Sequence, residues 1–194
     1  MPDAWTYHAD PGGFYALASS ADGTHLIGAV FGGGVYISTD SGASWTLTAT
    51  PHDGGEYWTG VSASSDFTHL VAVSYNTDLY DSTDSGATWT DASDLNGFAL
   101  AASSDGKEVV AAATGSPSGA IERSTDFGAT WATTTAPTSY VYGTVASSAD
   151  GVHLVAGAVP GPILTSVDSG ASWSGSNNAP STSWTSIASS ASSP

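Results

Sequence analysis

The side chains able to do chemistry are few in kind and almost all of one sign. Eighteen Asp and Glu stand against Lys107 and Arg123, and the chain has five His and no Cys. Paired carboxylates are the working groups of glycoside hydrolysis, one giving a proton and the other attacking or activating water. Glu56, Glu108, Glu122, Asp53 and Asp81 are available for such a pair, yet no flanking sequence picks two of them out. The absence of Cys removes disulfides, zinc–thiolate sites and thiol nucleophiles. His25, His69 and His153 recur at one position of the repeat described below, where its third copy has Glu108. A His/Glu series reads as a solvated strand end. A metal needs ligands that converge and are themselves held in place. The acidic loop at 52–56 does not have the spacing of an EF-hand. No catalytic residue, metal or cofactor is expected.

The charge narrows the partners. At −16 the chain cannot replace the counterions on phosphates, which excludes nucleic acid, and it is repelled by anionic membrane surfaces. No run of eighteen apolar residues exists, so membrane insertion is not expected. The first residues have neither the basic nor the apolar region of a secretion signal. With 40% apolar residues among abundant Gly, Ser, Thr and Asp, the composition is that of short strands with frequent turns.

The elements that must position these residues are set by a repeat. Four segments nearly coincide: STDSGASW from Ser38 to Trp45, STDSGATW from Ser82 to Trp89, STDFGATW from Ser124 to Trp131, and SVDSGASW from Ser166 to Trp173. Their aspartates, Asp40, Asp84, Asp126 and Asp168, are spaced by 44, 42 and 42 residues. A second marker, at Asp22, Asp66, Asp105 and Asp150, keeps similar spacing. A near-constant period of this length in a β-rich composition predicts an all-β fold, a single propeller of four-stranded blades over 1–190. The blades are placed at 14–49, 57–92, 97–134 and 140–175, with strands labelled A to D from the axis outward. Trp5-Thr6 matches the start of strand D at Trp45-Thr46, which predicts a further strand D at 4–8. Trp184 to Ser190 matches Trp58 to Ser64, which predicts a further strand A at 183–190, followed by a Ser-rich tail at 191–194. Strands A are rich in small residues, as expected where blades crowd toward an axis.

The S-x-D-x-G-x-[ST]-W motif resembles the Asp-box, or BNR repeat, of sialidase-like propellers. That resemblance implies that each motif is the turn between strands C and D. The aspartates Asp40, Asp84, Asp126 and Asp168 would accept turn amides. The glycines Gly42, Gly86, Gly128 and Gly170 would take a positive φ. The indoles of Trp45, Trp89, Trp131 and Trp173 would pack into the blade. Sialidases hold the substrate carboxylate with three arginines. The single Arg123 excludes that activity and implies a non-catalytic member of the superfamily.

A different column is the candidate for binding. Strand A opens with Phe14, Trp58, Tyr142 or Trp184, and in the third repeat Phe98 stands beside the equivalent Gly97. Rings at the loop face, with hydroxyls nearby, suit sugar stacking; packing between blades is the other reading of the same column. The expected function is a carbohydrate-binding, lectin-like module at or outside the cell surface. The alternatives are a scaffold for another protein, as in photosystem II assembly factors with related repeats, and a glycoside hydrolase-like enzyme. The two extra strands are expected to meet within one chain or to pair with a second copy near Trp5, Tyr7, Trp184 and Ile187.

Overall fold

The computed structural model describes residues 11–50, 56–75, 79–93, 95, 97–113, 119–175 and 180–190. The strand expected at 4–8 and the tail at 191–194 lie outside them. The described residues form sixteen strands and no helix. The first blade holds β1 (Phe14–Ser19), β2 (Leu26–Gly33), β3 (Val35–Ser38) and β4 (Thr46–Leu47). The second holds β5 (Glu56–Ala63), β6 (Leu70–Ser74), β7 (Leu79–Ser82) and β8 (Thr90–Ser93). The third holds β9 (Gly97–Ala102), β10 (Val109–Ala113), β11 (Ile121–Ser124) and β12 (Ala132–Thr133), and the fourth β13 (Tyr142–Ser147), β14 (Leu154–Ala158), β15 (Ile163–Ser166) and β16 (Ser174–Gly175). Each blade is an antiparallel meander, and β2 also pairs with β5, so the first two blades share one sheet.

Two turns in every blade use the same device. At the A–B turn, Ser20 Oγ donates to Asp22 Oδ1 at 2.7 Å, and the same oxygen accepts the Thr24 amide at 3.0 Å. At the C–D turn, Ser38 Oγ donates to Asp40 Oδ1 and accepts the Gly42 amide, each at 2.8 Å. Asp40 also accepts the amide and the hydroxyl of Ser44. The three other C–D turns repeat these bonds around Asp84, Asp126 and Asp168. A short acceptor two residues into a turn closes it locally, which is why these aspartates mark the repeat.

Each C–D turn places two successive residues at positive φ. The glycines stand at 87° (Gly42), 84° (Gly86), 95° (Gly128) and 83° (Gly170), each preceded by a non-glycine residue near 60°. The left-handed region is free of a Cβ clash only for glycine. Gly128 and Gly170 also face the preceding structure. A Cβ on Gly128 would lie 3.2 Å from a Val71 methyl of the second blade, and one on Gly170 3.2 Å from a Thr134 methyl. The motif's tryptophans are half-buried. Trp89, Trp131 and Trp173 pack against the cores between blades, and Trp45 lies against Phe14. The opening serine of the motif has a structural role that its sequence neighbourhood does not mark. Ser38, Ser82, Ser124 and Ser166 are almost completely buried, each joining its Asp to a glycine amide.

Blades pack face to face along an axis lined by β1, β5, β9 and β13. Ile27, Ala29 and Val35 of the first blade meet Val61, Leu70 and Tyr80 of the second. Val110, Ala112 and Ile121 of the third meet Val145, Leu154 and Leu164 of the fourth. A backbone belt joins the A–B turns: the Ala21 amide donates to Ser65 O, that of Ser65 to Ser104 O, and that of Ser104 to Ala149 O, at 2.8, 2.7 and 2.8 Å. Crowding at the axis is direct. A Cβ on Gly60 would lie 3.1 Å from a Val73 methyl and 3.4 Å from the Leu100 nitrogen.

β1 packs on β5, β5 on β9 and β9 on β13, but among the described residues no packing of like extent joins β13 to β1. Residues 183–190 carry no ladder, which corrects the expectation of a paired strand A there. They nevertheless occupy that strand's place. A Cβ on Gly157 would meet Trp184 Cβ at 2.7 Å and Ile187 Cδ1 at 2.9 Å. A bridge from Gly161 to Thr182 ties the segment down.

Candidate functional site

The blade topology sorts the chemistry onto two faces. Strands A and C end at the turns that carry Asp22, Asp66, Asp105 and Asp150 and Asp40, Asp84, Asp126 and Asp168, so all eight repeat carboxylates lie at one end of the axis. Hydrogen bonds favour the ionised form of Asp22, Asp40, Asp66, Asp84, Asp105, Asp126 and Asp168. Asp40 is lowered to about 2, first by the Ser44 hydroxyl, and Asp22 to about 2, first by the Ser20 hydroxyl. A basin of about 390 Å³ on the axis at this end is lined by serines and alanines.

Among the described residues, the opposite end carries an apolar, aromatic surface, with Glu56 at the start of β5 beside it. A cavity of about 580 Å³ opens there, lined by residues from all four strands A, among them Tyr15, Thr59, Ala99 and Thr144, and by Trp184 and Thr185. Among the described residues that line it, none is charged. Thr59 Oγ1 donates to Gly97 O at 2.6 Å, which fixes a hydroxyl beside the opening. Trp184 is half-buried, and its indole Nε1–H donates to Gly161 O at 3.1 Å, which holds the ring at the rim. Next to it a row of rings stands in solvent. Tyr15 is 58%, Phe31 49% and Tyr57 40% exposed. Their centroids lie 5.6 Å apart for Tyr15 and Phe31 and 4.6 Å for Phe31 and Tyr57. The β2–β5 pairing creates this row, because it sets Phe31 opposite Tyr57. Tyr75, Val141 and Val159 continue the exposed apolar surface at this end.

The column expected to stack on a ligand divides. Trp58 and Tyr142 are fully buried, which corrects the expectation for both: they are packing between blades. Tyr142 donates its hydroxyl to Pro137 O at 2.8 Å, and burial pushes its pKa up to about 12. Phe14 is half-buried against Trp45 at 4.5 Å. Of the described side chains in this column, Trp184 lines the cavity. Phe98 lies on β9, and its side chain is outside the described part of the structure.

A bulge explains the division. The pairing register shifts at Phe14/Ala16, at Trp58/Gly60 and at Tyr142/Thr144. A bulge re-aims the residue beside it, so the opening ring of strand A turns into the blade interface.

The remaining reactive residues are dispersed. Asp81 is on β7 and Glu122 on β11, in different blades, and burial raises the pKa of each. Glu108 precedes β10 and packs where a Cβ on Gly151 would stand. Glu56 opens β5, and Asp53 lies outside the described residues. Arg123 donates to Ser169 O, tying the third blade to the fourth blade's C–D turn. His25 packs on Phe67, and His69 stacks on Phe127 at 4.0 Å. Among the described residues no three His, Asp or Glu converge as a metal site.

No family model matches this chain. No curated protein matches it either. Solved structures do. The GH74 xyloglucanase from Xanthomonas campestris aligns with 21% identity and a TM-score of 0.63, over 82% of this chain and 29% of that one. The β-propeller domain of Cps50 (Swd1) from Myceliophteria thermophila aligns with 12% identity and a TM-score of 0.63, over 83% of this chain and 54% of that one. YCF48 bound to D1 peptide aligns with 12% identity and a TM-score of 0.52, over 86% of this chain and 82% of that one. This chain is a β-propeller. Its propeller neighbours include a glycoside hydrolase and a protein solved with a bound peptide, and it spans less than a third of the xyloglucanase.

Proposed function

We propose that this chain is a non-catalytic Asp-box propeller that binds a neutral glycan on its aromatic end. The observation that carries this reading is the exposed row Tyr15, Phe31 and Tyr57, leading to a cavity rimmed by Trp184 whose described lining carries no charge. Flat rings in water offer their faces to the C–H surface of a sugar, and the exposed Thr185 beside the cavity supplies a hydroxyl to orient it. Binding without hydrolysis is supported by the described lining of the cavity, in which no carboxylate stands as acid or nucleophile. The eight repeat carboxylates face the other way, closing turns. A charge of −16 opposes sialylated and uronate glycans, so the ligand is neutral. Such a ligand is met at or outside the cell surface.

A glycan array probed with the labelled protein tests this. Signal on neutral oligosaccharides and none on acidic ones is expected. A protein-binding role is the second reading, favoured by the likeness to YCF48, of whose chain this fold spans 82%. An array silent for every glycan, with binding to extended apolar peptides that Phe31→Ala abolishes, would establish that reading instead.

A further inference from the structure

We propose that the axial cavity takes the free end of a neutral glycan chain, and that a circle of residues aimed by repeated bulges reads that end. This rests on the glycan reading above and narrows it to one kind of contact. In each described strand A one residue stands outside the ladder. Phe14 pairs with Val30 and Ala16 with Ala29, which leaves Tyr15 over. Thr59, Phe98 and Gly143 are left over in the same way in β5, β9 and β13. Thr185 holds the equivalent place after Trp184. Tyr15, Thr59, Gly143 and Thr185 all line the cavity of about 580 Å³; the side chain of Phe98 is outside the described part of the structure. A bulge re-aims the residue that it leaves unpaired. Repeated around the axis, it turns one position of each repeat toward a common centre. The volume lies within the range of small-ligand sites, about 300–1,000 Å³.

Three observations favour a chain end over the middle of a chain. First, the cavity is blind along the axis. Its lining comes from β1, β5, β9, β13 and the segment after Thr182. One residue deeper along β5, a Cβ on Gly60 would lie 3.4 Å from the Leu100 nitrogen, and the basin at the other end shares none of the lining. Second, the exposed rings leave the mouth on one side. Among the described residues the most exposed aromatic side chains, Tyr15, Phe31, Tyr57 and Tyr75, all belong to the first two blades, whereas the fourth offers Val141 and Val159. Tyr15 stands in both the circle and the row. A chain whose last unit enters the cavity therefore meets Phe31 and Tyr57 with the units that follow. Third, the circle has hydroxyls to spare. Thr59 Oγ1 is taken up by Gly97 O, but Tyr15 and Thr185 are exposed. A chain end differs from an interior unit by a free hydroxyl where the interior has a glycosidic oxygen, and these two groups can meet it.

Calorimetric titration of the full chain with two unbranched neutral polymers, mixed-linkage β-glucan and glucomannan, each as a hexasaccharide and at high molecular mass, is the test. End recognition predicts the same small number of proteins bound per sugar chain at both lengths, with the same affinity per mole of chains. Thr185→Trp fills the cavity from an exposed position. It should lower hexasaccharide affinity by about tenfold or more, because the indole takes space that the sugar needs, while its melting curve matches the unsubstituted protein. Loading that grows in proportion to polymer length would overturn the end-on inference and leave the glycan reading standing. Undiminished binding by Thr185→Trp would do the same. Silence with both sugars at both lengths would overturn the glycan reading and this inference together.

Discussion

Ser82→Ala isolates what the repeated C–D turn contributes to the blade. Ser82 is 2% exposed, and its Oγ accepts the Gly86 amide at 2.9 Å while donating to Asp84 Oδ1 at 2.9 Å. Alanine removes the acceptor and leaves the Gly86 N–H buried without one. A buried donor stranded in this way costs about 1–3 kcal/mol. For a chain of this length each kcal/mol lowers Tm by roughly 2–4 °C, so the expected fall is roughly 2–12 °C. Thermal melts followed by the near-ultraviolet circular dichroism of the tryptophans would read it. Ser44→Ala is the control. It removes an exposed hydroxyl bond to Asp40 and leaves the buried amide of its own turn satisfied, so its effect should be smaller. If Ser82→Ala melted within a degree of the parent protein, the buried serine would not be holding the turn, and the account of the repeat would fail.

Other consequences can be measured on the same melts. Gly86→Ala should destabilise more than Gly42→Ala by about 1–3 kcal/mol, because both carry the positive-φ penalty but only the former overpacks against a preceding blade; equal losses would contradict the blade contact. The turn carboxylates Asp22, Asp40, Asp66 and Asp168 are lowered to about 2 from 3.8. Their stabilisation is therefore complete above the unfolded value and lost as pH falls toward 2, and a Tm that stayed level from pH 5 to about pH 2 would contradict it. Asp81 has the opposite sign: burial raises its pKa, so what its neutral form contributes is present at low pH and lost as pH rises through the folded value. Asp81→Asn should accordingly raise Tm at pH 7 and leave it unchanged near pH 3.

The architecture could be read from sequence because its determinants are local. An Asp two residues into a turn, a glycine at positive φ and a strand-length apolar run act within ten residues, and they recur four times. The roles of Asp40 and Gly42, and of their counterparts down to Asp168 and Gly170, follow from that neighbourhood alone. Ser38 sits in the same motif, but its burial depends on the turn folding over it, and a serine in a polar stretch does not announce that. The candidate binding end was less legible for a geometric reason. Strand alternation predicts which residues share a face only while the register is unbroken, and the bulge beside Trp58 breaks it. The rings that do meet solvent, Phe31 and Tyr57, come together through a pairing between blades that no single repeat contains. Trp184 reaches the rim of the cavity although the segment after it makes no ladder, because one bridge and one indole bond are enough to hold it.

Calorimetric titration of a neutral β-linked oligosaccharide into the full chain, set beside Phe31→Ala and Glu122→Gln, decides whether the aromatic end binds sugar without cleaving it. Saturable binding to the parent protein is expected, with loss of about tenfold or more in affinity for Phe31→Ala, no change for Glu122→Gln, and the sugar recovered intact. Undiminished binding by Phe31→Ala, or cleavage of the sugar that Glu122→Gln abolishes, would contradict it.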